Sequence, residues 1–298
     1  MKPFSFHSPR GLGEAVDLLE RHGPGAQVIA GGQTLLLAMK ERLARPSALV
    51  SLAEVADLRG WRYTDSGALE IGAATTYAAL AEAELTGVPL RGWHTEIAAV
   101  AGDLADRPVR TMGTIGGALC AADPRFDMVT LVVALDAELD TVGAGGGRTI
   151  RAAEFFDPVG GTVLRPGEIL TTVRFRPQDG FSGVAFEKFR YRVFDAALVS
   201  AVCALRLGAD GAVADARVTV GAVHPAPVLA TTAADRLVGG TPTAVDTVEI
   251  GLVAADEVLP AEQATTSVRR YQRELIGVLV GRAIARSHER AHTTTAGS

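Results

Sequence analysis

Apolar residues recur with two different periods along this chain, and the switches between them outline its elements. Leu12, Ala15, Val16, Leu18 and Leu19 follow helical spacing, with Ser8-Pro9 ahead of the run and Gly23 behind it. The β-prone run Ala26-Gln27-Val28-Ile29-Ala30 stops abruptly at Gly31-Gly32; a second helix is predicted over 34–43 and a strand over 48–52. Past Asp57 the pattern begins again. A strand is predicted at 69–73, a helix from Thr75-Thr76, helical spacing returns over 96–104, and a polar segment leads to Thr114-Ile115-Gly116-Gly117. The continuous apolar run 128–135 predicts a buried helix, while 138–142, 148–151 and 168–175 predict strands. The glycine-rich stretch 143–147 lies between two of those strands and reads as a hairpin tip.

Pro177-Gln178-Asp179-Gly180 has the composition of a linker, and the character of the chain changes there. Three long strand candidates follow, 186–192, 196–207 and 212–223, the last two joined by the hairpin signal Ala209-Asp210-Gly211. Two helices are predicted over 245–258 and 268–285, and the polar end 287–298 is expected to fray. The resulting division is 1–176, with subdomains of about 1–57 and 58–176, then 177–286, then a flexible tail 287–298.

Composition narrows the classes of function. With 298 residues, 48% hydrophobic and 21% charged, the chain has the material for more than one packed domain. A net charge of -5 and only 5% aromatic residues argue against a nucleic-acid partner. Cys120 and Cys203 stand far apart, which argues against a disulfide framework and against a metal or iron–sulfur site built by this chain alone. The first residues lack the apolar core of a signal peptide, and runs such as 275–280 fall short of the ~20 residues a membrane helix needs. A cytoplasmic protein without a transmembrane segment is the expectation. Neither a P-loop nor a G-x-S-x-G elbow occurs, and His7, His22, His94, His224, His288 and His292 each read as surface or packing residues. No catalytic dyad, nucleophile or metal is expected here.

The informative chemistry is glycine. Gly31-Gly32 sits between a strand and a helix, where the backbone turns without a Cβ and its amides are free to receive an anion such as a pyrophosphate. Gly116-Gly117 repeats the arrangement, with Thr34 and Thr114 beside the two pairs, Arg110 upstream, and Asp123-Pro124 and Asp127 downstream. Two such pairs have the means to grip one diphosphate from both sides. Two ligand-free structural turns, with Arg110 a solvated charge, account for the same spacing; Cys120, just after the second pair, reads as a small packing residue near the ligand and not as a nucleophile.

Ala30-Gly31-Gly32-Gln33-Thr34-Leu35, Ile71-Gly72-Ala73-Ala74-Thr75-Thr76, Arg110-Thr111-Met112-Gly113-Thr114-Ile115-Gly116-Gly117, and Asp123-Pro124 with Asp127 resemble, in order and spacing, the medium FAD-binding subunit of the xanthine dehydrogenase and carbon monoxide dehydrogenase family. Phe186-Glu187-Lys188, Arg192, Asp195-Ala196-Ala197-Leu198-Val199 and Tyr271-Gln272-Arg273 resemble the C-terminal domain of that flavoprotein, so the likeness runs over about 1–286. It implies an α+β chain: a two-subdomain, vanillyl-alcohol-oxidase-like (PCMH-type) FAD-binding domain followed by an α+β flavoprotein C-terminal domain. By matching position, Val28, Ile29, Ala30, Gly31, Gly32, Gln33, Thr34 and Leu35 would wrap the pyrophosphate and ribose of FAD, and Thr114, Ile115, Gly116, Gly117 and Ala118 would hold it from the other side. Leu104 and Ala105 would lie near the isoalloxazine ring, with Thr111, Asp127, Leu170 and Lys188 completing the pocket. For Leu104 and Leu170 a place in the core, and for Lys188 a solvated charge, stay open.

The resemblance implies an electron-transfer subunit of a molybdenum-containing hydroxylase. Its partners would be a large subunit carrying the molybdenum cofactor and a small subunit carrying [2Fe-2S] clusters, in a dimer of heterotrimers, with electrons passed on to an external acceptor. A stand-alone flavin oxidase or NADH-oxidising diaphorase, and a structural module with empty turns, remain as other readings. Ala118 departs from the asparagine usual in the family and forgoes one side-chain hydrogen bond, ~0.5–1.5 kcal/mol net. Without a further cysteine cluster, the extra iron–sulfur insertion of some relatives is not expected.

Overall fold

The computed structural model describes residues 3–85, 87–242 and 244–295, arranged as three sheets with helices packed on them. The first unit is a parallel three-stranded sheet in the order Ser5–His7, Ala48–Ser51, Ala26–Ile29. The helix Leu12–His22 lays Ala15, Leu18 and Leu19 onto it, as the helical period requires. Ser5–His7 was not predicted: three residues, two of them exposed, leave no alternation to read.

The second unit is a five-stranded antiparallel sheet in the order Trp61–Tyr63, Leu69–Gly72, Ile169–Phe175, Glu138–Gly143, Gly146–Arg151. Its central strand comes last in sequence, so the sheet closes only once the intervening helices are in place. Among those, Asp127–Ala134 is buried along its whole length, in agreement with the unbroken apolar run. It is enclosed because the third sheet also packs on it: Thr130 and Ser200 share a hydroxyl hydrogen bond of 3.0 Å. The short helix Arg107–Met112 fills the segment expected to be merely polar; Asp106 caps it, accepting from the Val109 N–H at 3.0 Å.

The third unit is an antiparallel sheet in the order Val228–Leu229, Val213–Gly221, Val199–Leu207, Gly183–Phe189, backed by the helices Ala244–Val258 and Ser267–Thr295. The two helices touch backbone to backbone: a Cβ on Gly251 would lie 2.2 Å from the Gly277 carbonyl oxygen. The expected fraying from residue 287 does not hold as far as Thr295. Ser287 Oγ donates to the Gly183 carbonyl at 2.9 Å, Ala291 is fully buried, and Arg290 pairs with the buried Glu96 at 2.5 Å. Tertiary contacts thus hold a segment whose composition alone favours solvent; residues 296–298 lie outside the described ones.

Three side-chain systems tie the third sheet to the second unit. Arg217 donates to the carbonyls of Ala134 and Val133, at 2.8 and 3.1 Å, closing the C-terminal end of the buried helix. Glu96 accepts from the Phe186 N–H at 2.7 Å and holds Arg290. Lys188 bridges Asp127 and Asp103. Inside the second unit, the buried His94 ring contacts the Arg176 carbonyl at 2.8 Å and the Tyr63 hydroxyl at 3.3 Å.

Burial pushes the His94 pKa from 6.5 down to about 4, although the Arg176 carbonyl favours the charged ring. Between those values the unfolded chain takes up a proton that the folded chain does not, so stability falls as pH drops through that window. Denaturant unfolding at pH 7 and pH 5 is expected to show this loss, and His94→Gln is expected to flatten it. Thr219, fully buried in the third sheet, has the lone unpaired buried side-chain oxygen among the described residues. Thr219→Val is expected to raise the unfolding free energy by about 1 kcal/mol in the same measurement.

Candidate functional site

A cleft of about 610 Å³ runs between the first unit, the helix Ile115–Ala121 and the start of the third sheet. That volume lies within the ~300–1,000 Å³ of small-molecule sites. The strand Ala26–Ile29 enters it and the chain turns at Gly31-Gly32 before the helix Leu35–Lys40 begins. Gly32 has φ +70°, a left-handed conformation that favours glycine. Gly31 is constrained by space instead: a Cβ there would lie 2.0 Å from the Met112 carbonyl oxygen and 2.9 Å from the Gly113 Cα. The two glycine segments are therefore in direct backbone contact.

Gln33 Nε2 donates to the Gly31 carbonyl at 3.1 Å, and the Leu36 N–H donates to Gly32 at 3.0 Å. The N–H groups of Gly31 through Leu35 find no acceptor among the described residues. A row of unpaired backbone donors at a concave bend is a seat for an anion.

The second glycine pair works differently from the expectation. It lies inside the first turn of Ile115–Ala121, and its amides are already committed. Ile115 donates to the Thr75 carbonyl at 3.0 Å, Gly116 to Ala73 at 2.9 Å, and Gly117 to the Thr114 hydroxyl at 3.0 Å. Of this segment's backbone donors near the cleft, the Thr114 N–H alone is unpaired among the described residues. Gly116 is required by packing, since a Cβ would lie 2.6 Å from Ala73 Cβ. The pair shapes the wall, and the first bend supplies the donors.

Arg110, at first a flanking charge, fixes the rim. Its Nη1 donates to the carbonyls of Leu104 and Ala105, each at 2.8 Å, and Ala105 takes the left-handed φ of 41° that this tight loop demands. Lys188 is not solvated: its side chain is 8% exposed, it pairs with Asp127, itself 3% exposed, and it reaches Asp103 at 3.1 Å. Burial pushes the Asp127 carboxyl above its ordinary range against the pull of the Lys188 ammonium. On Asp103 the hydrogen bonds from Arg190 and Lys188 outweigh burial and hold the carboxyl below its ordinary range.

Of the residues assigned to the FAD pocket from the sequence, all line the cleft except Thr111 and Ile115; Arg110, Asp123 and Pro124, noted beside the second glycine pair, do not line it either. Thr111 is exposed on its helix and donates to the Arg107 carbonyl at 2.9 Å, while Ile115 is fully buried in the core beneath the cleft. Leu104 and Leu170 both line it, Leu170 being otherwise buried. Tyr77, Cys120, Arg125, Phe126, Glu168 and Phe194 also line it and were not singled out as contacts. They come from separate elements with no shared spacing, so only the folded chain brings them together.

The last helix carries His288-Glu289-Arg290-Ala291-His292, the H-E-x-x-H spelling of zinc hydrolases, which reading its histidines one at a time passes over. The two imidazoles meet, Nε2 to Nε2, at 3.1 Å. Among the described residues no group of three His, Cys, Asp or Glu side chains is placed to hold a metal, and neither histidine lines the cleft.

Residues 2–177 match the family model described as FAD binding domain in molybdopterin dehydrogenase, and residues 184–287 match the CO dehydrogenase flavoprotein C-terminal domain. This chain belongs to the FAD-binding medium subunits of the xanthine dehydrogenase and carbon monoxide dehydrogenase family. The carbon monoxide dehydrogenase medium chain of Afipia carboxidovorans is 31% identical over 97% of this chain and 98% of that one. Its counterpart from Hydrogenophaga pseudoflava is 32% identical over 94% of this chain and 96% of that one. Among solved structures, quinoline 2-oxidoreductase from Pseudomonas putida 86 superposes with a TM-score of 0.87 at 29% identity, covering 98% of this chain and 99% of that chain. The chain is accordingly an oxidoreductase subunit with the two-part FAD-binding fold, and FAD is its cofactor; in related complexes the molybdenum and iron–sulfur groups belong to other subunits. The unpaired donors at Gly31 to Leu35, the glycine-lined walls and the cleft volume fit that dinucleotide.

Gly31→Ala is expected to destabilise the fold by about 2–3 kcal/mol, because the Met112 carbonyl must move, and to lower FAD retention. Thermal unfolding and the ratio of flavin to protein absorbance of the purified variant check both.

Proposed function

We propose that this subunit takes electrons from the [2Fe-2S] clusters of a small partner subunit and passes them to an external acceptor, in a dimer of heterotrimers with a large molybdenum subunit. The observation that carries the reading is the juxtaposition, in one cleft, of unpaired backbone donors at Gly31 to Leu35 with the buried Lys188–Asp127 pair. The first suits a diphosphate, and the second provides a charged, water-poor wall for a redox ring. Bound FAD supplies the electron-carrying chemistry; the protein supplies position, hydrogen bonds and electrostatics.

In this reading the amides of Gly31 to Leu35 bind the pyrophosphate, with the Thr114 N–H reaching it from the other side. Gly116, Gly117 and Ala118 leave room along the wall, and Val28, Ile29, Ala30 and Leu170 enclose the adenosine end. Arg110 holds Leu104 and Ala105 against the flavin ring, where Lys188 and Asp127 set the local field. The division into 1–176 and 177–286 puts the interface between the two parts at the cleft, with Lys188 reaching across it. Among the described residues no helix is long and apolar enough to cross a membrane; in this reading the complex works in the cytoplasm.

The test uses the chain purified with its partner subunits. FAD is removed, the clusters are reduced with dithionite, excess reductant is removed, and reoxidation by NAD, oxygen and a soluble quinone is followed. Loss of FAD is expected to slow reoxidation by the physiological acceptor at least tenfold, and added FAD to restore it. Reoxidation at an unchanged rate without FAD overturns the reading. NADH oxidation by the isolated chain at the rate of the complex replaces it with a diaphorase.

A further inference from the structure

Tyr77 is the first residue of the helix Tyr77–Ala81 and is held from several sides. Its N–H donates to the Gly113 carbonyl at 3.0 Å, Thr76 caps the helix by accepting from the Ala79 N–H at 3.2 Å, and the ring lies 3.2 Å from the place a Gly113 Cβ would occupy. Gly113 thus admits the ring beneath the second glycine segment. Tyr77 is 7% exposed and lines the cleft together with Ala73, Val109, Leu104, Asp127 and Lys188. Among the described residues nothing pairs with its hydroxyl, and since Thr219 alone has a fully buried unpaired side-chain oxygen there, the Tyr77 hydroxyl keeps access to the cleft.

We propose that Tyr77 donates its hydroxyl hydrogen bond to the flavin ring system of bound FAD, as a cofactor contact on the floor of the cleft. This rests on the reading that places the ring beside Leu104, Ala105, Lys188 and Asp127. Burial, reinforced by the nearby Asp127 carboxylate, raises the phenol pKa well above its ordinary value, so the group keeps its proton and acts as a donor. A donor already oriented by its backbone and ring contacts loses little freedom when the acceptor arrives. The sequence carries no sign of this, because Tyr77 is simply the residue after Thr75-Thr76.

Tyr77→Phe removes the hydroxyl and keeps the ring. Apo and FAD-loaded forms of the full chain, prepared with the partner subunits it purifies with, are compared by thermal unfolding, FAD titration, and flavin absorption and fluorescence. The apo variant is expected to be as stable as the wild type, since the ring keeps its packing and the hydroxyl, open to the cleft, has no partner to lose among the described residues. The dissociation constant for FAD is expected to rise roughly three- to tenfold. The visible flavin bands should shift and flavin fluorescence should rise, because a phenol in contact with the ring quenches it and a phenyl group does not. A weaker FAD affinity with unchanged bands and fluorescence overturns the assignment to the ring, and identical affinity and spectra overturn the contact altogether. Should wild-type protein fail to bind FAD, the reading of the cleft itself falls; binding by the wild type that Tyr77→Phe leaves unaltered defeats only the Tyr77 assignment.

Discussion

The site depends on one contact: the backbone of Gly31 lying directly against the carbonyl of Met112, with no room for a Cβ between them. Two segments far apart in sequence meet there, and their meeting determines what each can do. The bend at Gly31-Gly32 is held open, so the amides of Gly31 to Leu35 face the cleft instead of folding back on one another. The segment after Met112 is pinned by Tyr77 and Ala73, so its own amides close internal bonds. The cleft built this way is asymmetric: one wall presents free donors and the other shapes the space. Donors arranged before the ligand arrives need no reordering on binding, which is how a loop of small residues acquires affinity.

The cleft is completed only by the C-terminal part of the chain. Lys188 comes from the third sheet, yet its partners Asp127 and Asp103 belong to the second unit. A buried ion pair contributes little net stability, but breaking it leaves an uncompensated charge, so the pair holds the two parts in register. Arg217 on the carbonyls at the end of the helix Asp127–Ala134, and Glu96 between the Phe186 amide and Arg290, add two further fixed points. All three lie on or next to elements that line the cleft, which couples its shape to the docking of the parts. The helix continuing to Thr295 follows from the same constraint, since Arg290 finds its partner on the second unit.

Much of the architecture was legible from periodicity. The helix Leu12–His22, the strand before Gly31, the buried helix Asp127–Ala134 and the hairpin around Ala209-Asp210-Gly211 all follow from local pattern, because each is long or sharply bounded. Elements of three to six residues, such as Ser5–His7, Trp61–Tyr63 and Arg107–Met112, do not, since so few positions show no period. The glycine pairs were legible as glycine pairs. Their division of labour was not, because Gly116 and Gly117 give up their N–H groups to Ala73 and Thr114, and Ala73 becomes a neighbour only in the fold.

By itself, the sequence determined the family, the order of the main elements and the places where the backbone bends without side chains; these are local properties, written in residue type and spacing. The tertiary structure decided which amides stay free, that Lys188 is buried and paired, that Thr111 and Ile115 lie off the cleft, and that Tyr77 and Arg110 belong to it or its rim. Those outcomes depend on which distant group takes each hydrogen bond or fills each space. Only the packed chain specifies that competition.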